Sequence, residues 1–179
     1  MKLHLGCGRK YIEGFKHVDL QKFDHIDFIS SVDDLNFAKD NTVELIYAAH
    51  VLEHFGRNEY KKVLKEWHRV LKSGGVLRMS VPSFEAVVKY YTEKNDNLEL
   101  LLGLLVGGQK VGQYDYHQMV FDKKLLEKDL KEIGFKNIRH YDWRKTKHAK
   151  IDDFSQAYLP HMDKENGMLM SLNLEAEKI

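Results

Sequence analysis

Lys2-Leu3-His4-Leu5-Gly6-Cys7-Gly8 is a short, largely apolar run that breaks into two glycines, the pattern of a strand entering a tight turn. In an open parallel sheet, ligands bind beyond the carboxyl ends of the strands, where the strand order reverses. Glycines in the first turn let backbone N–H groups approach a ligand with no Cβ in the way. Gly6 and Gly8 supply that, although a Gly-x-Gly pair by itself is common. His17-Val18-Asp19-Leu20 then reads as a second strand ending in an acid. A carboxylate there can accept both ribose hydroxyls of an adenosine group, so Asp19 strengthens the reading. A nicotinamide-binding turn would need a third glycine where Tyr11 stands, which counts against a dehydrogenase.

Outward from that turn, strands and helices alternate. Asp27 to Ser30, Val43 to Ala49 and Gly75 to Val81 read as the third, fourth and fifth strands, and Pro82 stops the fifth because it cannot donate to a ladder. A helix lies between the fourth and fifth. Asn58 is placed to cap it, Tyr60, Val63, Leu64, Trp67, Val70 and Leu71 share one apolar face, and Gly74 or Gly75 ends it. A second helix covers Lys123 to Ile133, with Asp122 as cap, Leu125, Leu126, Leu130 and Ile133 inward, and Gly134 as the stop. Phe135 to Tyr141 and Met168 to Ala176 are the sixth and seventh strands. The alternation predicts an α/β fold, a parallel sheet with helices on both faces, in one domain over 1–179. Residues 83–121 and 143–167 break the alternation and read as elaborations of that domain.

Composition narrows the class. The chain has 179 residues, 43% hydrophobic and 31% charged, enough for one α/β domain and ordinary for a globular one. A net charge of +1 leaves no basic footprint for nucleic acid. The single cysteine, Cys7, excludes an internal disulfide framework and fits a reducing cytoplasm. Leu5-Gly6-Cys7 has no apolar segment upstream that would make it a lipoprotein cleavage site. The longest apolar run, Leu98 to Gly108, is broken by Glu99 and Gly103; it is too short to span a bilayer and reads as core or as a homodimer interface. Arg144, Lys145, Lys147, His148 and Lys150 read as a solvated basic loop, the alternative being attraction of a phosphate or carboxylate on a substrate. A cytoplasmic protein without a membrane span is expected.

The series Leu-His-Leu-Gly-Cys-Gly, Val-Asp-Leu, Ala-Ala-His-Val-Leu-Glu-His-Phe (48–55) and Leu-Lys-Ser-Gly-Gly-Val-Leu-Arg-Met-Ser-Val-Pro (71–82) resembles class I methyltransferases of the type 11 group. The resemblance is close over residues 2–82. It continues more weakly through Gly107-Gly108-Gln109, Tyr114-Asp115-Tyr116-His117, Gly134-Phe135 and Ser171 to Ala176, features similar to a subgroup of small methyltransferases found with glycan-building genes. It implies a Rossmann-like sheet of seven strands, mostly parallel, with the last strand antiparallel and inserted between the fifth and sixth. S-adenosyl-L-methionine is the implied cofactor, its methionine part against Gly6, Cys7 and Gly8, its ribose at Asp19 and Leu20, its adenine near Ser31, Val32 and Asp33. Ala49 and His50 would face the sulfonium. Two departures stand out. The interval from Gly8 to Asp19 is short, so the first helix should shrink to about a turn. The chain also begins at the first strand, so 83–121 and 143–167 are expected to supply the substrate pocket.

Methyl transfer from a sulfonium is an in-line displacement, for which positioning matters most. A general base is needed only where the acceptor must lose a proton. His50, His54 and His117 are the candidates, with Asp115 placed to orient His117. His50 and His54 flank a loop rather than sharing a regular helix face, so no metal site is expected. The acceptor is expected to be a small molecule or a glycan-type group, methylated at oxygen or nitrogen. Two other readings compete: an NAD-dependent oxidoreductase on the same sheet, and a cofactor-binding partner subunit that has lost catalysis.

Overall fold

The structure is a computed structural model that describes residues 1–94, 97–110 and 112–179. Residues 95, 96 and 111 of the expected 83–121 elaboration lie outside the described residues. The sheet strands are β1 (Lys2–Leu5), β2 (Lys16–Asp19), β3 (Phe28–Ile29), β4 (Val43–Ala49), β5 (Leu71–Pro82), β6 (Phe135–His140) and β9 (Ser171–Lys178). A separate two-stranded hairpin is made by β7 (Tyr158–Leu159) and β8 (Met168–Leu169). The helices are α1 (Tyr60–Val70), α2 (Phe84–Lys94), α3 (Glu99–Val106) and α4 (Lys123–Ile133).

The large sheet runs β3-β2-β1-β4-β5-β9-β6, with β9 antiparallel between β5 and β6. The order reverses between β1 and β4, which places a crevice at the carboxyl ends of those strands. Strand pairing sorts the side chains into two faces. Leu3, Ile46, Leu77 and Ala176 form one row across β1, β4, β5 and β9, and Leu5, Ala48, Met79 and Leu174 the next. These rows are buried under Val63, Leu64 and Trp67 of α1 and Leu126 and Leu130 of α4. Each leucine so covered contributes about 1.5–3 kcal/mol.

The other face carries a polar and aromatic row: His4, Tyr47, Arg78 and Glu175. Its cover comes from segment 142–157, folded into short helical turns at Trp143–Lys145 and Phe154–Gln156. The Tyr47 hydroxyl donates to Asp153 at 2.6 Å, Arg78 pairs with Glu175 at 2.6 Å, and the His148 ring packs 4.3 Å from that of Tyr47. His148 is therefore buried, unlike its neighbours in the basic stretch that reads as a solvated loop. Burial, aided by Arg78, lowers its pKa to about 4.

Several local expectations are corrected. Residues 6–15, between β1 and β2, form successive turns with no helical turn, closed by Lys10 N–H donating to Cys7 O and Phe15 N–H to Ile12 O. So short a crossover leaves no room for a packed helix. The cap of α1 is Glu59 rather than Asn58, and the Tyr60 N–H is met by Gly56 O. Helix α1 ends at Val70, and Leu71 is already extended, paired with Val43 at the start of β5. Gly74 (φ 75°) thus sits in the irregular start of that strand, not at a helix end. The expected seventh strand is split at Met170, because Met168 and Leu169 pair with β7 while Met170 N–H donates to Ala157 O. For α4 the outcome matches: Asp122 accepts from Leu125 N–H at 2.7 Å, and Gly134 (φ 118°) closes the helix.

Candidate functional site

A cleft of about 480 Å³ opens at the crevice above β1, β2 and β4, within the range of about 300–1,000 Å³ common for small-ligand sites. Its lining includes Gly6, Asp19, Leu20 and Gln21 from the ends of β1 and β2, and Ser31 and Val32 from the loop after β3. His50, Val51, His54 and Phe55 continue the lining from the loop after β4, with Val51 against Gly6, overhung by Tyr114 and Gln118.

The first turn is shaped by its glycines. Gly6 has φ 58°, and a Cβ there would meet Val51 Cγ2 at 2.6 Å, so no side chain fits between the turn and the loop after β4. Gly8 lies outside the cleft lining, and its N–H donates to Asp19 Oδ2 at 2.8 Å. Asp19 Oδ1 accepts from Gln21 N–H, also at 2.8 Å. Each oxygen of Asp19 thus has one internal partner and capacity for another acceptor bond. Cys7 faces inward; burial first, then the Asp19 charge, raises its thiol to about 12, which suits a packing residue.

The loop after β3 is fixed from below, where Trp67 Nε1 donates to Val32 O at 2.8 Å. That holds Ser31 and Val32 against the cleft, while Asp33 turns away and takes the Ser31 hydroxyl. Ala49 is likewise outside the lining, in register with Ser80 of β5.

His50 ends β4 in the left-handed region (φ 54°), with its N–H donating to Ser80 O at 2.9 Å. Its ring stacks on Phe154 at 5.2 Å, and Nε2 lies 2.7 Å from Ser171 Oγ. Burial, then the neighbouring His117 and His54, lowers its pKa to about 3, so the ring is neutral. A short helical turn at Leu52–His54 follows, and it sends Glu53 inward and His54 toward the cleft. Glu53 is fully buried, which pushes its carboxyl up to about 8. His50 Nδ1 is 3.4 Å and His117 Nε2 3.9 Å from Glu53 Oε1, yet among the described residues no side chain makes a hydrogen bond to either carboxylate oxygen.

The segment around His117 is tied to this loop: Gln118 and Met119 N–H both donate to Glu53 O, and Gln118 Nε2 donates to His54 O. His54 and His117 stack edge to face at 5.0 Å. His117 does not line the cleft itself; it stands behind His54, with its pKa lowered chiefly by burial. The Nδ1 of His117 lies 3.1 Å from Leu104 O, which aligns the ring. The Asp115 carboxylate accepts from Lys110 N–H at 2.9 Å and so shapes the loop that carries the histidine. Of the stretch 143–167, none lines the cleft, and Phe154 reaches the site through the His50 ring.

The residue missed by sequence reasoning is Glu53. Its signal was present in the Glu-His pair at 53–54, but its burial between His50 and His117 depends on a segment more than fifty residues away.

Residues 13–79 match the type 11 family described as "Methyltransferase domain". No curated protein sequence matches the chain significantly. Among solved structures, an S-adenosylmethionine-dependent methyltransferase from Methanosarcina mazei is similar at TM-score 0.61 and 14% identity, over 99% of this chain and 92% of that one. One from Archaeoglobus fulgidus gives TM-score 0.57 and 15% identity, over 99% and 85%. The 1,6-didemethyltoxoflavin-N1-methyltransferase of Burkholderia thailandensis, solved with 1,6-didemethyltoxoflavin and S-adenosylhomocysteine, gives TM-score 0.57 and 14% identity, over 99% and 70%. At these identities the shared property is the fold.

Proposed function

We propose that this chain is a class I, S-adenosylmethionine-dependent methyltransferase, a reading supported by its matched domain and its sheet, and that it methylates a compact small-molecule or glycan-type acceptor, at oxygen or nitrogen, by in-line transfer. The observation that carries the proposal is the composition of one cleft. Its lining brings together a glycine turn with no room for a Cβ, a carboxylate with spare acceptor capacity, and histidines beside Tyr114 and Gln118.

The residues present fit the cofactor. Asp19 would take the ribose hydroxyls, Leu20 and Gln21 would flank them, and Ser31 and Val32 would border the adenine. Gly6 would let the methionine part approach the backbone, with Val51 and His50 beyond it. Bound there, the cofactor supplies a methyl group already activated on a sulfonium, so the protein's task is alignment. Tyr114 and Gln118 would close over the acceptor, and His54 would meet its reacting group. His50 would hold the loop in place through Ser171 and Phe154, and Asp115 would brace the overhang.

Calorimetry with S-adenosylhomocysteine and with NAD tests the cofactor. Binding of the first in the micromolar range, with none of the second, is expected; the reverse result would sink the proposal. Transfer of a labelled methyl group onto a panel of hydroxyl and amine acceptors then tests the acceptor.

A further inference from the structure

Glu53, His54 and His117 bring three ligand-type atoms within 4.8 Å of one another, behind the stretch of cleft wall that His54 forms. The partners of the rings fix their tautomers. His54 Nδ1 lies 3.0 Å from Tyr116 O, and His117 Nδ1 lies 3.1 Å from Leu104 O. A carbonyl only accepts, so each Nδ1 carries a hydrogen and donates it, and in the neutral ring Nε2 keeps its lone pair. The Ser171 hydroxyl donates to Phe154 O, so it accepts from His50 Nε2–H. His50 Nδ1, facing Glu53, is therefore a lone pair as well. Glu53 is a buried carboxyl faced by the lone pairs of His50 Nδ1 and His117 Nε2, and no side-chain donor among the described residues makes a hydrogen bond to its oxygens. A proton there would satisfy one lone pair; a divalent ion would satisfy the carboxylate and both Nε2 atoms at once.

We propose that Glu53, His54 and His117 bind a divalent first-row cation of the zinc, cobalt or manganese kind, whose remaining positions face acceptor oxygens in the cleft. Two imidazoles and a carboxylate suit such ions better than magnesium or calcium, which favour all-oxygen sites. Backbone carbonyls that take the far ring N–H of each histidine are the usual outer support of a metal-bound imidazole. With bonds of about 2.0–2.2 Å, ligands of one ion stand about 3.3 Å apart. The 3.9 Å between His117 Nε2 and Glu53 Oε1 closes to that by small side-chain rotations. The sequence expectation of no metal rested on histidine and cysteine spacing along the chain; the ligand that spacing could not supply, His117, comes from the overhang.

The role of the ion toward the acceptor rests on the methyltransferase reading, whereas the cation site does not. Because His54 lines the cleft, an ion held there would bind an acceptor hydroxyl and lower its pKa. The hydroxyl proton passes to solvent, the oxygen's electron pair forms the new C–O bond, and the S–methyl bond breaks with its pair going to sulfur. The acceptor class is then an alcohol or phenol with a second oxygen adjacent, able to chelate.

The test is titration of the chelator-treated full chain with Co2+, read by visible absorption, and with Zn2+, read by calorimetry, each with and without S-adenosylhomocysteine. One ion per chain is expected. Glu53→Gln and His117→Ala should each weaken it by more than about a hundredfold while still binding S-adenosylhomocysteine. The half-buried His54 gives a further variant, His54→Gln, should either of those fail to fold. No binding of either ion by a protein that binds S-adenosylhomocysteine would overturn the site and spare the cofactor reading. Ion binding untouched by the variants would overturn the assignment. Ion binding without S-adenosylhomocysteine binding would support the site and remove the cofactor reading.

Discussion

Asp19 and Gly6, the residues proposed to receive the cofactor, act by different physics. Asp19 is braced by two backbone N–H groups, from Gly8 and Gln21, so its carboxylate is oriented before any ligand arrives. Asp19→Ala should weaken S-adenosylhomocysteine binding by at least about tenfold, the loss of one charge-assisted hydrogen bond or more. Isothermal titration reads this directly, and unchanged affinity would remove Asp19 from the site. Gly6 acts through space and backbone. With φ at 58° and Val51 Cγ2 2.6 Å from any Cβ, Gly6→Ala should cost about 1–3 kcal/mol of stability and displace the Val51 loop. A urea melt at the wild-type midpoint would show no such loss if the turn could relax.

Among the elements, α1 does most to join core and site. Its apolar face packs Val63, Leu64 and Trp67 under the sheet, and Trp67 also reaches past the core to hold Val32 O. Trp67→Phe keeps much of the apolar contact and removes the donor. A stability loss of about 1–3 kcal/mol is expected, with weaker S-adenosylhomocysteine binding because the adenine-side loop is released. Full affinity in a destabilised variant would confine Trp67 to the core. The helix's apolar spacing was legible in the sequence, but its ends were not. Asn58 and Gly74 are good cap residues, yet the register of Leu71 with Val43 and the Gly56 carbonyl decided where the helix starts and stops.

At the scale of the whole molecule, the sheet separates an apolar face under α1 and α4 from a polar face roofed by 142–157. That second face makes the fold sensitive to acid. Burial lowers His4 to about 3 and His148 to about 4, so both are neutral when folded and take up protons in the unfolded chain below about 6.5. Stability is therefore retained above that pH and lost as pH falls toward 4, at up to about 1.4 kcal/mol per pH unit for each histidine. Urea midpoints at pH 7 and pH 5 should show the drop, and His148→Gln should shrink it; an equal drop in the variant would assign it elsewhere. Among the described residues, no helix is long and apolar enough to cross a membrane.

Sequence by itself determined what depends on neighbours along the chain. The Gly-Cys-Gly turn, the acid ending β2, the apolar stripes of α1 and α4 and the Asp122 cap all follow from local spacing. Only the tertiary structure decided what depends on distant segments meeting. It replaced the expected short helix after Gly8 with bare turns, and it buried His148 under the sheet. It set the His117 ring against Leu104 O. It also enclosed Glu53 between His50 and His117. The turn at Gly6 to Gly8 is local because backbone sterics act over a few residues. The chemistry around Glu53 is not, because burial and lone-pair geometry exist only once the overhang has folded onto the end of β4.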